Sequence, residues 1–172
     1  MLDLTPSVGL VLDTSVWINL LATEEMGSIV GALGVLCHAP EQVVWEITRH
    51  PVSGIDFQPE RHPLRAAGSG VSILTLAAAE LELFLEIVGA PAVDALGDGE
   101  AAAIAVAVTR GLELVIDDRK ARRVLRERFS QVRTHWTVDL IRAAPVSSAL
   151  GASRVNECLD KAVRFGRMHL PH

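Results

Sequence analysis

Two short apolar segments constrain the fold more than any other feature, because each ends in an aspartate and leads directly into a helical pattern. The first, residues 8–12, ends at Asp13, and the second, residues 112–116, ends at Asp117. Short continuous apolar runs are typical of strands that are buried on both faces of a parallel sheet. Strands that alternate with helices along the chain therefore predict an α/β fold with a mainly parallel central sheet.

The remaining sequence supplies the other elements of such a fold. Strands are predicted at residues 34–39, 71–76 and 132–135. Helices are predicted at residues 25–33, 77–88, 98–110, 137–143 and 152–168, and also after Asp13, after Pro40 and after Asp118. Either Thr14 or Ser15 is expected to cap the first of these helices, and Asp98 to cap the helix that Gly111 ends. Residues 50–70 lack periodicity and predict a long loop.

Length and composition limit the class of protein. A chain of 172 residues, 49% apolar and 22% charged, is expected to form one globular domain rather than a disordered segment. We predict a domain at residues 1–144 with a C-terminal helical extension, residues 145–172, packed on it. The apolar runs are shorter than the roughly 18 residues of a membrane span, which excludes a membrane protein. Two isolated cysteines, Cys37 and Cys158, fit a reducing cytoplasm.

Four carboxylates are expected at one edge of the sheet. Asp13 and Asp117 end strands, and Glu100 lies in the first turn of a helix, where its side chain leans back towards the same edge. Glu46 follows the second strand by about two helical turns. Carboxylates gathered in one place repel each other and raise each other's pKa, unless a hard divalent cation such as Mg²⁺ or Mn²⁺ lies between them.

The segments that carry these acids resemble the four acidic motifs of PIN-domain nucleases. The segments are VLDTSVWINL, PEQVVWEI, LGDGEAAAIAVA and LVIDDRKAR, in the family's order, and the resemblance covers about residues 8–143. It implies a three-layer α/β/α sandwich and a phosphodiesterase site that depends on Mg²⁺ or Mn²⁺. Many bacterial members are VapC-like ribonuclease toxins that a cognate antitoxin holds.

The resemblance also assigns roles to residues. It implies that the catalytic acids are Asp13, Glu46, Glu100 and Asp117. The implied metal ligands are Asp13, Glu100 and Asp117, with Asp118 and Asp98 as auxiliary candidates. Thr14 and Ser15 stand where the family often places a hydroxyl that orients the first acid. The fourth motif, DDRKARR, departs from that of many toxins and resembles a less characterised PIN-like subgroup.

A basic run follows the fourth acid and suggests a surface that binds nucleic acid. Residues 119–128 hold six basic groups and one acid, although the net charge of the chain is −5. We predict that Arg119, Lys120, Arg122 and Arg123 bind the phosphates that flank the scissile one. Trp17, Trp45 and Trp136 are expected to fill the core. With three Trp, four Phe and no Tyr, few aromatic residues are available for base stacking, which argues against an aromatic platform for single strands.

The sequence therefore predicts a metal-dependent endoribonuclease, the toxin of a type II toxin–antitoxin system, in the cytoplasm. Its expected partners are RNA, a cognate antitoxin and a second copy of the chain, because a mean hydropathy of +0.32 leaves apolar surface to cover. The alternative is a PIN-like module that binds RNA or protein without cleaving. A phosphatase of the haloacid dehalogenase type is excluded, since Ser15 stands where its second acid is needed.

Overall fold

The computed structural model describes residues 9–166 and 168. Within them, five strands form one fully parallel sheet in the order β3-β2-β1-β4-β5. The strands are β1 (Leu10–Leu12), β2 (Cys37–Pro40), β3 (Val71–Leu74), β4 (Glu113–Val115) and β5 (Thr134–His135). Since all five run in the same direction, their carboxyl ends lie at one edge of the sheet. The predicted parallel α/β fold is confirmed.

Helices cover both faces of the sheet and divide the core in two. They are α1 (Thr14–Ala22), α2 (Met26–Leu33), α3 (Glu41–Glu46), α4 (Ala78–Val88), α5 (Asp98–Arg110), α6 (Arg119–Arg128), α7 (Thr137–Ile141), α8 (Ala144–Leu150) and α9 (Ala152–Lys161). Leu10 and Leu12 pack into the cluster that contains α1 to α3 and α7 to α9, whereas Val11 packs into the cluster of α4, α5 and α6. This alternation along β1 creates the three layers. Each helix of the described residues falls short of the length and apolarity that a bilayer crossing requires.

The helix predicted over residues 152–168 is present as α9, with a π-helical turn up to Gly166. An additional helix, α8, precedes it, and Gly151 separates α8 from α9 with a φ of +79°, a left-handed value that favours glycine. Helix α9 ends at Lys161 and continues as a π-helical turn, Ala162–Gly166. Val146, Leu159 and Met168 join the first cluster, so these helices share the core of the sheet.

Other local predictions were wrong in instructive ways. Asp13 itself caps α1, in place of Thr14 or Ser15, and Gly97 rather than Asp98 precedes the first turn of α5. Trp17 is fully buried as expected, but Trp45 is 62% exposed. A six-residue α3 buries only Val43 and Val44, and Trp45 lies on its opposite side.

Candidate active site

Asp13 lies at the centre of the carboxyl edge, immediately after β1. Its side chain is fully buried. Its Oδ1 accepts hydrogen bonds from the Val16 backbone N–H at 2.8 Å and the Ser15 hydroxyl at 2.9 Å. Burial raises the pKa of Asp13 well above its ordinary value, and the neighbouring charges of Asp117 and Glu100 raise it further, although these hydrogen bonds oppose the shift. Asp13 therefore caps a helix, and burial disfavours its ionised form.

Asp117 follows β4 beside it and is oriented by neutral donors. The Thr137 backbone N–H donates to Oδ1 at 2.9 Å, while the Thr137 hydroxyl and the Asn19 amide donate to Oδ2 at 2.6 and 2.8 Å. Burial raises the pKa of Asp117, and these hydrogen bonds, together with the positive charge of the nearby Arg122, lower it in part. The sequence reasoning missed both supporting residues. Asn19 could have been noticed as a polar residue among the apolar residues of α1, whereas nothing in the sequence marks Thr137.

Glu100 and Asp118 complete the acidic edge from the starts of two helices. The Glu100 Oε2 accepts from the Gly97 backbone N–H at 3.2 Å, and the Asp118 Oδ1 caps α6 by accepting from Ala121 at 2.8 Å. Burial raises the pKa of Glu100, and the charge of Asp118 adds to the effect. Each carboxylate thus uses one oxygen in a backbone hydrogen bond.

A cavity of about 560 Å³ opens between these groups. It is lined by Ser15, Ile18, Asn19, Glu100, Asp117, Asp118, Arg119 and Gly166. Asp13 is too deeply buried to belong to this lining, but its Ser15 partner does. Gly166 comes from the π-helical turn, and a Cβ at this position would collide with the Asn19 side chain. The C-terminal segment therefore packs against the residue that orients Asp117.

Glu46 reaches the edge from α3 and is fixed outside the cavity. Its carboxylate accepts a hydrogen bond from the Gly99 backbone N–H at 2.9 Å and another from the Thr14 hydroxyl. A Cβ on residue 99 would clash with both Thr14 and Glu46, so glycine is needed for this approach. The charge of Glu46 also contributes to the raised pKa of Glu100. The first three predicted motifs thus meet at one point.

Comparison with known proteins identifies the family of the chain. The sequence profile of the PIN domain family matches residues 9–170, which is nearly the whole chain. The chain belongs to the PIN domain family. The match runs beyond the motifs described above and includes the C-terminal helices. Searches among curated proteins and among solved structures found no match.

In this PIN domain, two cations of the basic run hold the loop that precedes α5. The Lys120 Nζ donates to the carbonyls of Ala92 and Ala95 at 3.0 and 2.5 Å. Arg123 donates to the Val93 carbonyl at 2.8 Å and to Asp94 at 2.9 Å. Since this loop leads directly to Glu100, the two side chains fix the start of α5.

A third cation joins the ends of two strands. The Nη1 of Arg122 donates to the carbonyls of Ile116 and His135 at 2.9 and 3.0 Å, and its guanidinium lies 3.9 Å from the centre of the Trp136 ring. These contacts connect the segments that contribute Asp117 and Thr137. Of the four cations predicted to bind phosphate, Arg119 is the one that lines the cavity.

The fit of a divalent cation rests on the chemistry of the donors. In the described ranges, no three carboxylate, imidazole or thiol groups are close enough together to form a metal-binding group. Yet Asp13, Glu100 and Asp117 are carboxylates with raised pKa values, and none of them forms an ion pair within those ranges. Such oxygen donors suit Mg²⁺ or Mn²⁺. By charge and donor type the site fits a hard cation, and the predicted ligands, including Asp118, stay a prediction.

Proposed function

We propose that this PIN domain is an endoribonuclease that depends on Mg²⁺ or Mn²⁺ and hydrolyses phosphodiester bonds of RNA. PIN domains are generally nucleases. The observation that carries the proposal is the set of acids at the carboxyl edge, where Asp13 and Asp117 are buried and desolvation raises the pKa values of Asp13, Glu100 and Asp117. Carboxylates that burial and mutual repulsion disfavour are retained at sites where a cation or a reaction uses them.

The chain's own residues would hold and orient the reacting groups. Asp13, Glu100 and Asp117, with Asp118 beside them, are the proposed ligands. A divalent cation bound there would lower the pKa of a water molecule and offset the charge that develops on the phosphate. Ser15 and the Val16 N–H fix the Asp13 carboxylate, while the neutral donors on Asp117 set its direction without removing its charge. Glu46, predicted as a catalytic acid, binds the Gly99 N–H and the Thr14 hydroxyl, and we propose that it holds the start of α5 next to Glu100.

Arg119 is the proposed contact for the substrate phosphate at the cavity wall. It is exposed and lines the same cavity as Glu100 and Asp117. A guanidinium can bind a phosphate with two parallel hydrogen bonds. These bonds fix the orientation of the phosphate for attack, which charge attraction alone does not. We propose that Lys120, Arg122 and Arg123 act by holding Glu100 and Asp117 in place, since their donors already bind backbone carbonyls.

The test is cleavage of a structured RNA by the purified chain with Mn²⁺, with Mg²⁺ and with a chelator. The Asp13→Asn variant, purified in the same way, is the matched control, because asparagine can still cap α1. We expect cleavage with a metal, and its loss both in chelator and in the variant. A folded wild-type chain that cleaves no RNA under any of these conditions would contradict the proposal and favour the module that binds without cleaving.

We further propose that the chain acts as a type II toxin in the cytoplasm, with an antitoxin and a second copy of the chain as partners. Leu81 and Leu85 lie one turn apart on α4, and both are exposed. A partner would remove them from water. Expression in bacteria should arrest growth for the wild type and not for Asp13→Asn. Sedimentation should show a dimer that Leu85→Asp separates, and a monomeric wild type would contradict the homodimer.

A further inference from the structure

Trp45 is the exception among the three tryptophans. Trp17 is fully buried, and Trp136 is covered by the guanidinium of Arg122, but Trp45 is 62% exposed. On α3, Val43, Val44 and Ile47 face the core. At about 100° of rotation per residue, Trp45 and Glu46 therefore share the side that faces solvent. Trp45, the most exposed tryptophan of the described chain, thus lies on the same side of α3 as Glu46, a predicted catalytic acid.

The location of Trp45 is fixed by its neighbour. The Glu46 carboxylate is bound to the Gly99 N–H and to the Thr14 hydroxyl, and Gly99 immediately precedes Glu100 on the cavity wall. Consecutive Cα atoms are about 3.8 Å apart. Trp45 therefore lies on the helix that follows the carboxyl end of β2, next to the residue that contacts the start of α5.

Two arginines adjoin α3, one through an ion pair and one along the chain, and their guanidinium groups have only weak partners. Glu41 and Trp45 are neighbours one helical turn apart, and Arg65 approaches Glu41 at 3.5 Å. Arg49, four residues beyond Trp45, approaches Asp56 at 3.4 Å, and both side chains of that pair are largely exposed. The side chains of the Arg65–Glu41 pair are 33% and 27% exposed. Both pairs are long, and long ion pairs at a surface contribute little, so we expect both guanidinium groups to remain able to bind phosphate. We call Trp45, Arg49 and Arg65 the α3 surface.

We propose that the α3 surface binds single-stranded RNA, with an unpaired base stacked on the indole of Trp45 and phosphates held by Arg49 and Arg65. This inference rests on the proposed nuclease function, because it takes the strand from the α3 surface into the cavity at Glu100 and Asp117. An aromatic side chain beside cations is the usual composition of a surface for single strands, and stacking tolerates any base. In a duplex the bases are stacked on one another, so the surface discriminates against paired RNA.

The test measures binding separately from cleavage. A short fluorescein-labelled oligoadenylate, alone and annealed to its complement, is titrated with the chain in chelator, and binding is followed by anisotropy. We expect Trp45→Ala to weaken binding of the single strand about 5- to 150-fold, the range of one lost stacking contact. Trp45→Phe should retain most of the affinity. Leu36→Ala, at an exposed apolar residue before the amino end of β2, should change nothing.

Cleavage kinetics with Mn²⁺ provide the second readout. Trp45→Ala should raise KM with kcat almost unchanged, because stacking holds the strand and takes no part in the chemistry. If a folded Trp45→Ala chain binds the single strand more weakly than the wild type, the inference is supported. This holds even if the wild type cleaves nothing, and then only the nuclease proposal fails. Unchanged binding overturns it even if the wild type cleaves. A change in sedimentation with unchanged RNA binding also overturns it and assigns Trp45 to a protein interface.

Discussion

The two ends of β4 hold buried carboxylates in opposite electrostatic settings. Glu113, the first residue of the strand, contacts His135 Nε2 at 2.5 Å and Arg133 Nη1 at 3.4 Å. Asp117 follows the other end and receives its hydrogen bonds from Asn19 and Thr137, which are neutral. One strand thus supplies a carboxylate with basic partners and another without an ion pair in the described chain.

The same contrast separates Glu80 from Asp13. Glu80 is 1% exposed, and its hydrogen bonds with Arg110 hold the pKa of its carboxyl below the ordinary value. Asp13 is equally buried, and its pKa is raised. A buried charge without a partner costs folding free energy. Glu80 and Glu113 have basic partners, whereas Asp13 and Asp117 form no ion pair in the described residues, and this difference indicates a function at the carboxyl edge.

The largest expected effect distinguishes the two ends of β4 by activity. Asp117→Asn should lower the kcat of metal-dependent RNA cleavage about 100-fold or more, as expected for loss of a group that stabilises transition-state charge. Glu113→Gln, on the same strand, should stay within about two-fold of the wild type. Single-turnover cleavage of one RNA by both variants, with folding checked by circular dichroism, measures the difference. Equal losses in two folded variants would remove the distinction.

A smaller effect concerns the stability of the paired acid. Arg110→Ala should lower the free energy of unfolding by about 2 kcal/mol, less than the loss of a fully buried pair, because the Arg110 side chain is 37% exposed. Since the pKa of Glu80 is lowered on folding, its contribution is present above the ordinary value of 4.5 and disappears as the pH falls through the folded pKa. Urea titrations at neutral and acidic pH measure this. A difference that persists in acid would contradict the ion pair.

The smallest expected effect is a gain in stability rather than a loss. In chelator at neutral pH, Asp13→Asn should raise the free energy of unfolding by about 1 kcal/mol, as stabilising changes at functional sites often do. The pKa of Asp13 is raised on folding, so the metal-free wild type should lose stability as the pH rises from the ordinary value of 3.8 through the folded pKa. The variant should lack this loss. A variant less stable than the wild type at neutral pH would show that the charge is compensated.

Much of the fold and the acidic edge could be predicted from local pattern. The apolar runs before Asp13 and Asp117 are short strands, and the start of α5 brings Glu100 to the same edge. What the sequence could not show depends on distant contacts. The sequence of the basic run predicts a phosphate-binding surface. In the structure, Lys120 and Arg123 instead donate to backbone carbonyls of a loop that lies about 25–30 residues earlier in the chain.

The supporting residues escaped prediction for the same reason. Asn19 binds Asp117 across 98 positions of sequence, so no spacing rule connects them. Trp45 was expected in the core on composition alone, since large aromatic residues are usually buried. The short α3 has room to bury only two of its residues, and this limit becomes visible only when the ends of α3 are known.

Mn²⁺ binding tests the central claim most directly, because it requires neither a substrate nor turnover. The purified wild type, Asp117→Asn and Glu113→Gln are titrated with Mn²⁺ by calorimetry. We predict that the wild type and Glu113→Gln bind the ion, because both keep the acids of the carboxyl edge, and that Asp117→Asn does not bind. No binding by the folded wild type, or equal binding by Asp117→Asn, would contradict the account.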